Sequence, residues 1–339
     1  MKEKQNLISF YELTSFENLY KAHKKARMSK RHKWDVINFE SNLYLNLIEL
    51  QKSLREGTYK VGKYKSFYVY EPKKREIQAL GYVDRVVQHA ICDNYLVPYY
   101  ERRLIFSNCA CRTNKGAHFA RQLLKQYIIK FLKTHKNGYV LKCDIKKYFA
   151  NLDHNVIQSM IDKYEDNNIS KIVGDIISSY NAQNKKGVPI GNQVSQIMGI
   201  AYLDKIDRLI KEKLKIKYYV RYMDDLILVH EDKEYLKICF YTIEKELKKL
   251  KLIFNKKTQY LTLSNGFEFL GAKYISKNGK VLLLLKKQTK KKFIKNKKII
   301  KLLFKKGKIL NDYISSSYAG INGHVNGFNC YNFCKALLG

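Results

Sequence analysis

Acidic residues are scarce in this chain. Only 30 Asp and Glu stand beside 65 Lys and Arg in 339 residues, which leaves a net charge of +35. Codon bias can enrich lysine, but it does not remove acids, and a field of this sign and size attracts a polyanion. Long apolar runs are also missing. The longest purely aliphatic one, Val281 to Leu285, is far short of the roughly 20 residues a membrane span needs, so no membrane partner is expected. The opening MKEKQNLISFYELTSF carries acids and polar residues where an export signal is apolar. Seven cysteines, an odd number without a regular framework, fit a reducing, cytoplasmic compartment. Three prolines, no Gly/Ser linker and no internal repeat argue against disordered connections. What remains is 45% apolar, enough to core two or three subdomains.

Periodicity orders the chain. Phe16, Leu19, Tyr20 and His23 share one helical face, as do Phe39, Leu43, Leu47 and Leu50, so 16–54 reads as helices. Gly57-Thr58-Tyr59 breaks that pattern. Short strands are expected over 59–82, with Pro72-Lys73-Lys74-Arg75 in a turn, then helices at 84–97 and 115–134. Gly138 to Asp144 reads as a buried strand ending in an acid, and helices are expected within 153–181, 193–214 and 232–251. Residues 286–308 hold 12 lysines and no acid, interrupted by Phe293, Ile299, Ile300, Leu302, Leu303 and Phe304. That is a basic helix with an apolar side, suited to lie along a phosphate backbone, and a subdomain boundary is expected near 275–286.

The sharpest feature is Tyr222-Met223-Asp224-Asp225, set inside the apolar run from Tyr218 to Val229. Two carboxylates at the bend of a hairpin of strand-formers repel each other unless a cation sits between them. A third acid, Asp144, ends another apolar strand 80 residues upstream. Three hard oxygen donors of this kind suit two Mg²⁺ ions spaced for phosphoryl transfer. Phe149, five positions after Asp144, could lie beneath a nucleotide sugar and exclude a 2′-hydroxyl, or could equally be a core residue. Cys109-x-Cys111 and the set His324, Cys330, Cys334 do not make a four-ligand zinc pattern.

At these residues the sequence resembles the reverse transcriptases. Asp144-x-x-x-x-Phe149 and Tyr222-Met223-Asp224-Asp225 are similar to the two metal motifs of the right-hand polymerase palm. Other blocks resemble the family in order: EPKKREIQAL with Arg75, the run Asp84 to Ala90, SNCACRTNKGAH from Ser107 to His118, Asn255-Lys256-Lys257, and Phe269-Leu270-Gly271. The resemblance runs from about residue 16 to 335. It implies an α+β right-hand polymerase: an N-terminal helical extension (1–58), fingers (59–137), a palm with an antiparallel sheet (138–275, with part of the fingers at 155–190), and a basic helical thumb (276–339). Chains of this kind end after the thumb, without an RNase H domain.

Within the family, Ile190-Gly191-x-x-x-Ser195-Gln196 resembles the pattern of diversity-generating retroelement enzymes, where most reverse transcriptases have Gln and Pro at the first and last places. Those enzymes copy a template RNA into cDNA with errors chiefly at template adenines. An apolar Ile190 packs against a base pair without checking it by hydrogen bonds. A helix N-terminus explains Gly191 and Ser195 but not Ile190 or Gln196. Retron or phage-defence reverse transcriptases are the nearest alternative. Asn181-Ala182 only partly matches their N-A-x-x-H and no V-T-G occurs. A catalytically idle RNA-binding scaffold is the third.

The resemblance assigns roles by residue. Asp144, Asp224 and Asp225, with the Ile145 carbonyl, hold two Mg²⁺ ions, which Mn²⁺ can replace. Lys74 and Arg75, with Lys73 a possible helper, neutralise the triphosphate. Phe149 gates the sugar, and Ile190, Gly191 and Gln196 line the nascent pair. Lys256 protonates the leaving pyrophosphate. Template and primer are met by Arg112, His118, Ser195, Phe269, Leu270, Gly271, Lys291 and Lys295. Partners implied are an RNA template, a DNA or RNA primer, dNTPs and a basic, helical, oligomeric accessory protein. The setting implied is the cytoplasm of a bacterial or phage-encoded system.

Overall fold

The computed structural model describes residues 7–70, 74–181, 183–277 and 280–338. Pro72 and Lys73, half of the expected turn, lie outside the described residues. In chain order the elements begin with α1 (Phe10–Leu13), α2 (Phe16–Ala26), α3 (Trp34–Ser41) and α4 (Leu43–Arg55), then β1 (Lys65–Val69) and β2 (Arg75–Ala79). Next come α5 (Tyr82–Ile91), a π-helical turn at Cys92–Leu96, α6 (Val97–Glu101), α7 (Ala117–Leu132), β3 (Tyr139–Asp144) and α8 (Tyr148–Asn151). They continue with α9 (His154–Ile161), α10 (Asn167–Ser178), α11 (Gln193–Tyr202), α12 (Asp204–Arg208), a second π-helical turn at Leu209–Lys213, β4 (Tyr218–Tyr222) and β5 (Asp225–His230). The last are α13 (Lys233–Lys249), β6 (Gln259–Thr262), β7 (Phe267–Phe269), β8 (Ala272–Lys277), β9 (Lys280–Leu285), α14 (Lys287–Lys305), α15 (Asn311–Val325) and α16 (Tyr331–Leu338). No described helix is long and apolar enough to cross a membrane.

The chain divides into two compact units, one of residues 1–106, 145–208 and 244–254, the other of 107–144, 209–243 and 255–339. In the first, α2 turns its Leu19, Ala22, His23 and Ala26 face inward. His23 is fully buried, its Nδ1 sharing a hydrogen bond with the Tyr82 hydroxyl at 2.9 Å, and Phe39 stacks on its ring. Asp84 is a buried acid that accepts from the Tyr59 hydroxyl at 2.6 Å and the Gly62 amide at 3.1 Å. β1 and β2 form a two-stranded antiparallel ribbon, with β1 wholly exposed.

The second unit carries a four-stranded antiparallel sheet in the order β4-β5-β3-β6 and a three-stranded one, β7-β8-β9. Its core joins Leu124, Ile128 and Phe131 of α7 to Val220, Ile227 and Phe269. Each such fully buried side chain contributes about 1.5–3 kcal/mol, so the sheet is a stiff base for whatever its strand ends present. A satellite core of Leu285, Ile321, Val325 and Cys330 ties α15 to the end of β9. Residue 275, the expected end of the palm, falls inside β8, because Ile275 pairs with Leu282 in a continuous ladder.

Candidate active site

The three acids singled out by sequence belong to one unit and one sheet. β3 and β5 run antiparallel with Asp144 directly opposite Asp225. Residues opposite each other in such a pair project from the same face, so the two carboxylates are neighbours. β4 and β5 pair as far as Tyr222 with Asp225, which leaves Met223 and Asp224 as a two-residue turn. Met223 adopts φ 53, a left-handed conformation that costs a side-chain-bearing residue free energy and recurs at functional sites. Asp144, Asp224 and Asp225 are each half-buried.

Two residues hold this arrangement: Arg221, which the sequence pattern did not single out, and Asn255, which it marked only as part of the Asn255-Lys256-Lys257 block. Arg221 is fully buried and donates from Nη1 to the Met223 carbonyl at 3.0 Å. Its backbone is bracketed by residues 107–109. The Arg221 amide donates to the Ser107 carbonyl at 3.0 Å, and the Cys109 amide donates to the Arg221 carbonyl at 3.0 Å. A lone arginine in an otherwise apolar strand was the available signal. Asn255 donates its amide N–H to the Asp144 carbonyl at 2.7 Å and its side-chain Nδ2 to Asp144 Oδ2 at 2.8 Å. One carboxylate oxygen is thereby oriented by a neutral donor, and no positive charge is spent on it.

Among the described residues no three His, Cys, Asp or Glu side chains already form a cage around a metal position. The donor set still fits a hard divalent cation of the Mg²⁺ type. Such ions bind through one or two carboxylates completed by substrate phosphates and water, rather than by an all-protein cage. Asp144 opposite Asp225, with Asp224 beside it, supplies that chemistry. Ile145 has a buried side chain, leaving only its carbonyl for such a role.

The other residues expected around the second unit divide in two groups. Lys256 is exposed immediately after Asn255, and Lys291 and Lys295 are exposed on α14. Leu270 and Gly271 form the two-residue turn between β7 and β8, with φ 45 and 78, and Arg121 donates from Nη1 to the Leu270 carbonyl at 3.3 Å. Burial pushes the Arg121 guanidinium below its ordinary value and the Tyr222 hydroxyl above its own. Arg112 donates to the Asn108 carbonyl at 3.1 Å, and His118 is exposed on the first turn of α7. Phe269, in contrast, is 2% exposed and packs in the core, so it anchors the turn and does not itself meet a primer.

The first unit holds the residues expected at the nucleotide. Arg75 opens β2, and exposed Lys74 lies 4.5 Å from the Tyr68 ring centroid. The Ile190 carbonyl accepts from the Gln78 amide at 3.1 Å, which ties the Ile190-Gly191 segment to β2. Gly191 has φ 126, and a Cβ there would meet Ile77 Cγ2 at 3.0 Å and the Gln78 carbonyl at 3.2 Å, so the close approach requires glycine. Phe149 is half-buried, and its carbonyl accepts from Val188 at 2.9 Å. A Cβ on Gly199 would lie 3.4 Å from its ring. Gln196 is exposed on α11. Ser195 corrects its expectation: it is 1% exposed with an enclosed hydroxyl, because it faces the core side of α11, and so it does not reach a template.

No curated protein matches this sequence. Among solved structures, an apo telomerase from Candida tropicalis truncated from its C-terminal domain is similar with 19% identity and a TM-score of 0.47, over 67% of this chain and 55% of that one. The apo telomerase from the same organism gives 16% identity and a TM-score of 0.44, over 63% and 47%. The chain thus spans about half the length of these structures. The family model described as reverse transcriptase (RNA-dependent DNA polymerase) matches residues 71–274, more than half of the chain and the whole stretch from Arg75 of β2 through the acid-bearing hairpin. Its right-hand polymerase fold, mixed helix with antiparallel sheet, is the one built here, and the chain belongs to the reverse transcriptase family.

Proposed function

We propose that this chain synthesises DNA on an RNA template, joining a primer 3′-hydroxyl to the α-phosphate of a dNTP. The observation that carries the reading is Asp144 opposite Asp225, with Asp224 beside them on a strained two-residue turn, inside the stretch that matches the family. Two Mg²⁺ ions, or Mn²⁺ in their place, would supply activation of the 3′-hydroxyl and charge neutralisation at the leaving pyrophosphate. Asp144, Asp224 and the Ile145 carbonyl would hold them, with Asp225 shaping the field, and Asn255 keeps Asp144 in one orientation. Lys74 and Arg75 neutralise the triphosphate, and Lys256 delivers a proton to pyrophosphate. Phe149 excludes a 2′-hydroxyl. Arg112, His118, Leu270, Gly271, Lys291 and Lys295 hold template and primer. In this reading 1–58 is an N-terminal extension, 59–137 fingers, 138–275 palm with part of the fingers at 155–190, and 276–339 thumb.

The finer proposal is an error-prone enzyme of a diversity-generating retroelement, acting in mutagenic retrohoming in a bacterial or phage-encoded cytoplasmic setting with a basic helical accessory protein. Its support is Ile190-Gly191 beside β2 and an exposed Gln196, where an apolar side chain at Ile190 has no hydrogen bond to offer a mispair. The test is to copy a defined RNA with the purified chain and sequence the cDNA. The expected product carries errors concentrated at template adenines. Errors spread evenly over the four bases contradict the retroelement reading and favour a retron or defence enzyme, and no cDNA at all contradicts the polymerase reading.

A further inference from the structure

The chain has a single tryptophan, and it is not in a core. Trp34 is 77% exposed at the first position of α3. An indole left in water forgoes a large apolar burial, and exposed aromatics of this size mark contact surfaces. Trp34 directly follows the most cationic stretch of the N-terminal helices. Residues 24–33 hold six Lys or Arg and His32, with no acid. Two of these charges are spent inside the unit: Lys25 pairs with Asp93 at 3.0 Å and Arg27 with Glu40 at 2.6 Å. Lys24 lies 4.8 Å from the Tyr20 ring centroid and Arg31 acts on the Glu40 carboxylate, while Lys30 and Lys33 meet like charge. Lys30 is half-buried beside Lys33 and Arg85 of α5, and both repel its ammonium, with Asp35 alone acting in the opposite sense. Burial first, then these two cations, hold the Lys30 amine below its ordinary value.

The segment that presents them is built tightly. The Met28 amide donates to the Lys25 carbonyl, Lys30 to Arg27 and Lys33 to Lys30, at 3.2, 2.9 and 2.9 Å, and Ser29 takes φ 59. Cations crowded on a rigid turn cost stability until an anion sits among them. An aromatic face next to such an anion position is the combination that unpaired nucleic acid uses, with phosphate on the cations and a base on the ring.

We propose that the α2–α3 turn, through Lys30, Lys33, Arg85 and Trp34, is a second nucleic-acid contact that grips an unpaired segment of RNA. A backbone phosphate sits among the three cations and a base stacks on Trp34. The choice of RNA rests on the polymerase reading above, since the template is the RNA this chain would already hold. An acidic peptide would satisfy the cations but leave the indole unused.

The full chain supplies its own probe, because Trp34 is its only tryptophan. Titration with single-stranded RNA of mixed sequence should quench Trp34 emission to a plateau. Lys30→Gln with Lys33→Gln should lower the slope of log affinity against log salt by about 0.7, the share of one phosphate on a single strand. Trp34→Leu should weaken binding about tenfold, the scale of one lost base stack. Extension of a short primer–template, followed in parallel, should remain within about twofold in both variants. Emission unchanged while gel shift reports saturated RNA overturns the proposal, as does an unchanged salt slope. Anionic phosphatidylserine vesicles or oligoglutamate moving the emission where RNA does not also overturn it, in favour of a lipid or protein partner. Failure of the polymerase reading appears separately, as no extension by the unaltered chain.

Discussion

Two hairpins of the same unit, β4–β5 and β7–β8, meet one geometric demand with different residues. Each closes on a two-residue turn whose first residue is left-handed without being glycine, Met223 at φ 53 and Leu270 at φ 45. In each, an arginine with almost no exposure donates to that residue's carbonyl, Arg221 to Met223 and Arg121 to Leu270. They part at the second turn residue. Gly271 takes φ 78 freely and yields the doubly left-handed turn that suits strand twist, whereas Asp224 keeps a negative φ. The acid-bearing hairpin therefore keeps its strain on Met223 and uses the next position for a carboxylate. The difference teaches that the tip of β4–β5 is shaped for what it presents, and that of β7–β8 for how tightly it turns.

Substitutions can break that comparison. The largest effect is expected from Arg221→Met, which removes a fully buried guanidinium and frees the Met223 carbonyl. Urea unfolding should show a loss of about 3 kcal/mol, with extension falling in step. Arg121→Met should cost less, since its bond to the Leu270 carbonyl is longer, 3.3 Å against the 3.0 Å of Arg221 to Met223. Next, Asn255→Ala releases Asp144 Oδ2, and the Mg²⁺ concentration for half-maximal extension should rise about 10-fold to 100-fold, with unfolding changed by only about 1 kcal/mol. Gly271→Ala meets no atom within 4 Å, so its cost is backbone strain alone, about 1 kcal/mol in melting experiments. The smallest effect is sharpest in sign. Met223→Gly should relieve the left-handed strain, leaving stability within about 0.5 kcal/mol of the parent or above it, while the extension rate falls because Asp224 is less firmly held.

Much of this was legible in the sequence where burial and chemistry disagree. Acids set in apolar strands, Asp144, Asp224 and Asp225, stood out for that reason, and the structure brings all three to one sheet. The helices of 16–54 and the basic α14 followed from spacing alone. The contacts of Arg221, Asn255 and Arg121 were not legible, although Asn255 stood in a family block, because their partners are a strained turn, the strand end bearing Asp144, and a carbonyl 149 residues away. Those contacts exist only after the sheets form. Ser195 and Phe269 were read as surface contacts for the opposite reason: a family pattern marks a position but not which way its side chain faces, and both face the core. Within the boundary expected near 275–286, residue 275 lies inside Ala272–Lys277, which pairs with Lys280–Leu285 as one continuous β-ladder.

The central claim is that the carboxylates at the β3 end and the β4–β5 turn carry RNA-templated DNA synthesis. Single-nucleotide incorporation on an RNA template with Mg²⁺, compared between the unaltered chain and Asp224→Asn, tests it most directly. The substitution keeps size and removes one negative charge at the metal position. A fall in the incorporation rate of about a thousandfold or more, with folding unchanged, is the predicted result. Incorporation by Asp224→Asn at the rate of the unaltered chain would contradict it.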